Sequence, residues 1–120
     1  MVYQGYRELI VFQTAYELAL TIHQVTISFP VEEKYSLVDQ IRRSSRSVPA
    51  NLAEAWKKRR YKKAFISKLA DCSGETEVWL DLSKDLGYID KSTHKELTEK
   101  YDEVGRMLVG MMDKADKFCF

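Results

Sequence analysis

Residues 97–118, LTEKYDEVGRMLVGMMDKADKF, decide the fold. Leu97, Tyr101, Val104, Leu108, Met111, Ala115 and Phe118 recur at alternating intervals of four and three, the spacing that lines one stripe of an α-helix. A strand would alternate every second residue, and a loop would show no period. Asp90 stands just ahead and offers the side-chain oxygen that caps a helix start. A helix is therefore expected from about residue 91 to residue 118.

The same period recurs three times upstream. A third helix is predicted from Lys62 to Leu86, with Ile66, Leu69, Cys72, Ser73, Thr76, Trp79, Leu80 and Leu86 inward and Gly87 as its stop. Ala70, Ser73 and Gly74 offer small side chains where a neighbour could approach. In the second segment Leu37, Val38, Ile41, Ser45, Val48, Leu52, Ala55 and Trp56 share one stripe. Pro49 lies inside it, and its missing N–H and its ring predict a kink or a break between Ser45 and Val48. Continuing that helix would turn Arg59 toward the core, so it should end near Lys57 or Lys58. The first helix is expected from Tyr6 to Ser28, with Val11, Ala15, Leu18, Ile22, Val25 and Phe29 inward and Pro30 beyond its end.

Four amphipathic segments with short connections predict an all-α fold, an antiparallel up-down four-helix bundle, with residues 1–120 as a single domain. Composition agrees: 45% hydrophobic residues suffice for one core, while two prolines and five glycines are too few for the turns of a sandwich or barrel. No apolar run reaches membrane length and the first residues do not read as a secretory leader, so a cytoplasmic protein is expected. Cys72 and Cys119 lie far apart and outside any metal spacing, and read as reduced thiols.

The first helix carries a second apolar face, formed by Leu9, Phe12, Tyr16, Leu20 and Ile27, roughly opposite the first. One core cannot bury both. Either neighbouring loops cover the extra face or a second subunit does, and the expected oligomer interface comprises Leu9, Phe12, Tyr16 and Leu20.

Catalytic patterns are absent: the sequence holds no glycine-rich phosphate loop, no HExxH and no glycine-flanked serine. His23 and His94 are isolated, Glu75 and Glu77 are two apart and cannot share a helix face, and no Glu-x-x-His pair offers a di-iron site. No enzyme activity, cofactor or metal is expected.

Charge is the informative feature. The chain has 19 Lys+Arg against 18 Asp+Glu. Between Gln40 and Lys68, however, ten basic residues face Glu54 alone, a net of +9, while the remainder holds nine basic and seventeen acidic residues, a net of −8. On a helical projection Arg42, Arg46, Lys57 and Arg60 fall within about 60° of one another. The run Lys57 to Lys63 reads KKRRYKK and adds six positive charges at a turn. Such a surface suits a polyanion, because neutralised phosphates release counterions without any base-reading motif. The candidate nucleic-acid-binding residues are Arg42, Arg43, Arg46, Lys57, Lys58, Arg60, Lys62 and Lys63, with Tyr61 able to stack on a base or simply to pack. Two other readings stay open at this level: a solvated face balanced by acids elsewhere, and a scaffold or adaptor whose basic face meets an acidic protein.

Several stretches also carry a resemblance. Residues 6–13 (YRELIVFQ), Phe29-Pro30 leading to Tyr35-Ser36-Leu37, residues 40–54 (QIRRSSRSVPANLAE), Asp85-Leu86-Gly87-Tyr88 and residues 103–108 (EVGRML) resemble the bacterial four-helix-bundle family that includes proteins encoded in intervening sequences of 23S rRNA genes, also called the S23 ribosomal protein family. More distantly, the chain is similar to the accessory variability determinant proteins of diversity-generating retroelements. The resemblance implies a homopentamer with a basic surface and, from the retroelement relatives, structured RNA and a reverse transcriptase as partners. Arg42 and Arg43 match the family's basic positions, whereas Pro49 and Asn51 match positions that look structural. Ala55 stands where many members have glycine.

Overall fold

The computed structural model describes residues 4–72 and 74–120, and every regular element among them is helical. The helices are α1 (Ile10–Thr26), α2 (Leu37–Lys57), α3 (Lys62–Ala70), α4 (Glu75–Asp85), α5 (Lys91–Asp113) and the short α6 (Ala115–Phe118). Helix α1 packs on α2 and α5, α2 packs on α3 and α4, and α4 packs on α5, which gives a four-cornered bundle. It measures 47 × 25 × 20 Å. No described helix is long and apolar enough to cross a membrane.

The stripe that opened the sequence analysis lies inward. Leu97, Tyr101, Val104, Leu108, Met111 and Ala115 are buried, and Phe118 stacks on fully buried Phe65 at 6.0 Å between ring centroids. Asp90 caps α5 as expected, its Oδ1 accepting the Thr93 N–H at 2.7 Å. Gly87, at φ +80°, ends α4 in a Schellman turn: the Tyr88 N–H donates to the Ser83 carbonyl and the Gly87 N–H to the Lys84 carbonyl.

Helix α2 runs through Pro49 without a break and ends at Lys57. In the turn before the proline, the hydroxyls of Ser44, Ser45 and Ser47 donate to the carbonyls of Ile41, Arg42 and Ser44. Ser44 also accepts a hydrogen bond of 2.8 Å from Thr76 Oγ1, a buried polar link that sets the register of α4 against α2.

The structure corrects several expectations. The third helix is two: α3 stops at Ala70 and α4 starts at Glu75. Asp71, Ser73 and Gly74 are weak helix formers, and after the last α-helical bond, from the Asp71 N–H to the Ser67 carbonyl, the Cys72 N–H tightens to the Leu69 carbonyl three residues back; Ser73 itself lies outside the described residues. Leu86 is 53% exposed, because the buried arc of α4 centres on Thr76, Leu80 and Ser83 and Leu86 falls nearly a quarter-turn from it. The first segment begins with a 3-10 turn at Tyr6–Glu8, and α1 starts only at Ile10. Leu9 between them is extended (φ −68°, ψ 129°), which turns its side chain into the protomer's own core, 4% exposed and unavailable to a second subunit. Near the end of α1, Thr26 is buried and Val25 only half so; the Thr26 hydroxyl is satisfied by the Ile22 carbonyl at 2.8 Å.

Candidate nucleic-acid interface

The basic window is distributed over two places. Arg46 and Lys57 are eleven residues apart on one helix, about 16 Å at 1.5 Å per residue. At the first place Arg42 is half-buried, its Nε donating to Thr26 Oγ1 at 2.9 Å and its Nη2 to the His23 carbonyl at 3.4 Å. It thus serves the C-terminal turn of α1, where free carbonyls and the helix dipole favour a cation. Arg43 pairs with Asp39 at 3.2 Å on the surface, and exposed Arg46 lies 3.2 Å from His23 Nδ1.

The second place is the turn from α2 to α3. Lys58 ends α2, its N–H bonded to the Glu54 and Ala55 carbonyls, and the Tyr61 N–H closes the turn on the Lys58 carbonyl at 2.9 Å. Arg59 is turned inward: its guanidinium lies 3.7 Å from the Trp56 ring centre, its Nε donates to the Trp56 carbonyl, and its own carbonyl accepts the Phe120 N–H. Lys62 pairs with Asp116 at 2.5 Å, and that hydrogen bond together with the nearby charge raises its pKa. Lys68 pairs with Glu54 at 3.0 Å; Lys68 is raised and Glu54 lowered by their mutual hydrogen bond and charge.

These contacts leave Lys57, Lys58, Arg60 and Lys63 exposed and, among the described residues, without an ion-pair partner. Tyr61, 66% exposed, sits in their midst. Lys62 and Lys63 open α3, whose first turn has no acid and no side-chain cap. Cations at the positive end of a helix work against it by roughly 0.3–1 kcal/mol each. Of the eight residues expected from sequence, Lys57, Lys58, Arg60, Lys62 and Lys63 come together at one end of the bundle, and Arg42, Arg43 and Arg46 stand apart beside α1.

The extra apolar face of α1 was legible in the sequence, and the wall that faces it was not. Phe12, Tyr16 and Leu20 of α1, with Tyr6, form one wall of an open groove of about 580 Å³; Pro49, Ala50 and Ala53 of α2 form the other, and His23 and Arg46 close one end. Tyr16 and Leu20 are about half exposed and Phe12 stacks edge-on against Tyr6 at 4.9 Å. The small residues on the α2 side were the available signal, since they let α1 and α2 leave a trough between them.

Burial pushes the Cys72 thiol up to about 12, and its Sγ lies 3.6 Å from the Val48 carbonyl. Among the described residues no three His, Cys, Asp or Glu side chains gather to hold a metal ion.

A helical bundle with a cationic end and an apolar side groove defines a class of small helical protein. The pattern of one family, the 23S rRNA-intervening sequence proteins, matches residues 7–110, and the chain belongs to that family. The chain is also similar to a crystal structure from Bacteroides thetaiotaomicron, a protein of unknown function from the S23 ribosomal protein family. The two share 25% sequence identity with a TM-score of 0.76, over 87% of this chain and 96% of that one. No curated protein matches significantly.

Proposed function

We propose that this protein is a non-enzymatic, self-assembling helical bundle that binds nucleic acid, RNA in the first instance, through Lys57, Lys58, Arg60 and Lys63 at one end of the bundle. The observation that carries the reading is a cluster of four exposed cations without an ion-pair partner among the described residues, of which Lys63 stands in the acid-free first turn of α3, where the helix dipole disfavours a cation. Stability alone would place an acid there, and a local conflict of this kind is where function is expected. Exposed Tyr61 supplies an aromatic face for an unpaired base. Self-assembly is supported by the apolar groove, which a soluble monomer would leave in water.

Fluorescence anisotropy on a structured RNA tests the reading. Binding at low salt is expected, weakened by Lys57→Ala with Arg60→Ala, each removal lowering the salt slope by about one. Lys91→Ala, at the opposite end, should leave it unchanged. Absence of binding at low salt, or a slope indifferent to the Lys57 and Arg60 changes, refutes nucleic-acid binding and turns attention to an acidic protein partner.

A further inference from the structure

Tyr61 is a second place where the cationic turn departs from what stability asks. It is the N-cap of α3, with extended backbone at φ −119° and ψ 94°, and its side chain makes no cap hydrogen bond. Serine, threonine, aspartate or asparagine at that position would accept a free N–H of the first turn, which the distant phenol oxygen does not. The backbone is fixed without the ring: the Tyr61 N–H donates to the Lys58 carbonyl and the Tyr61 carbonyl accepts the Phe65 N–H, each at 2.9 Å. The ring is left over, facing solvent.

The other exposed aromatic rings among the described residues each have a neighbour. Tyr16 lies 5.8 Å from Phe12, while Lys34 and Arg59 stand 5.3 Å from the ring centres of Tyr35 and Phe120. Among the described residues no hydrogen bond, ring contact or cation engages the Tyr61 side chain. Nor does its own turn offer the ring a place to fold back, because Trp56 is buried and already covered by the Arg59 guanidinium, which Phe120 flanks in turn.

A free ring among free cations suits one ligand chemistry, phosphates for the cations and a base plane for the ring. In a duplex the bases are stacked on one another inside, and the ring would meet only backbone. The extent of the site agrees. Lys57, Lys58, Arg60 and Lys63 fall within a single turn, with Arg42 and Arg43 engaged elsewhere, whereas duplex RNA is held by contacts spread over successive grooves.

We propose that the α2–α3 turn selects unpaired nucleotides over duplex RNA, Tyr61 stacking on an exposed base while Lys57, Lys58, Arg60 and Lys63 hold the neighbouring phosphates. This rests on the nucleic-acid reading above and names the form of its ligand. Tyr61 is the residue that sets the preference, and the cations set the strength of binding to either form.

Fluorescence anisotropy with two probes provides the test: a single-stranded RNA of about 12 nucleotides, and the same strand paired with its complement. Electrostatics alone favours the duplex, whose charge density is higher; stacking should reverse the order, so that the single strand binds more tightly. Tyr61→Ser should weaken single-strand binding by roughly 5- to 150-fold, the worth of one base stacked on an aromatic ring, and leave duplex binding and the salt slope unchanged. Serine is a favoured capping residue at the start of α3, so that loss does not arise from unfolding. Tyr61→Phe keeps the ring and should bind as the unaltered chain does. If the duplex binds as tightly as the single strand, or if Tyr61→Ser weakens neither probe or both equally, the preference for unpaired nucleotides is refuted and salt-dependent binding through the four cations stands. Absence of binding to both probes at low salt overturns both readings.

Discussion

Arg42 and Arg46 are four residues apart on one helix and carry the same charge, yet they do different work. Arg42 holds the end of α1 through Thr26 and the His23 carbonyl, whereas Arg46 reaches the edge of the groove. Arg42→Ala should therefore cost about 1–2 kcal/mol in urea unfolding by leaving a buried hydroxyl and a helix carbonyl without their donor; Arg46→Ala should cost little. Equal losses would refute the distinction. Asp90 gives a pH signature. The Thr93 N–H and hydroxyl hold its carboxyl below its ordinary value, so the stabilisation is complete above the unfolded-state pKa, near 4, and fades as pH falls through the folded one. Asp90→Asn keeps an acceptor but no charge, and its stability gap to the unaltered chain should close on acidification. The residue types at the basic end were legible in the sequence. Their ion-pair partners were not: Asp116 reaches Lys62 from the far end of the chain, a contact that only the closed bundle creates.

At the scale of elements, legibility followed the strength of local signals. Helix α5 was readable because its period never falters and Asp90 marks its start; Gly87 was readable as a stop because of its conformation. The break between α3 and α4 was hidden, since the apolar phase from Leu69 to Thr76 survives it and four short or weak helix formers outweigh a continuing stripe. At Pro49 the sequence left a kink or a break open, and the helix runs through without the break, its packed stripe continuous on both sides of the proline. Glycine substitutions separate these influences. Gly87→Ala should destabilise by about 1 kcal/mol because φ +80° strains any Cβ. Gly105→Ala, inside α5 with open space where the Cβ would go, should stabilise by about 0.5–1 kcal/mol. Thermal melts of both variants would contradict this if the signs agreed. Several residues that carry the family resemblance also do structural work here: Arg42 at the end of α1, Gly87 in its turn, and Tyr88, whose hydroxyl donates to Glu33 at 2.8 Å. The resemblance therefore speaks more directly for the bundle than for the cationic turn.

For the molecule as a whole, a formal charge of +1 conceals a dipole. The contacts of the folded chain sharpen it: Lys62 and Lys68 are matched by Asp116 and Glu54, Arg42 and Arg43 are engaged beside α1, and Lys57, Lys58, Arg60 and Lys63 remain outward at one end. The salt dependence of RNA binding tests the central claim most directly. With four cations each meeting a phosphate, log K measured by fluorescence anisotropy should fall against log salt with a slope between roughly −2.8 for a single strand and −3.6 for a duplex. Replacing Lys57, Lys58, Arg60 and Lys63 together by Gln should abolish that dependence, and a slope of unchanged size in the quadruple variant would contradict it.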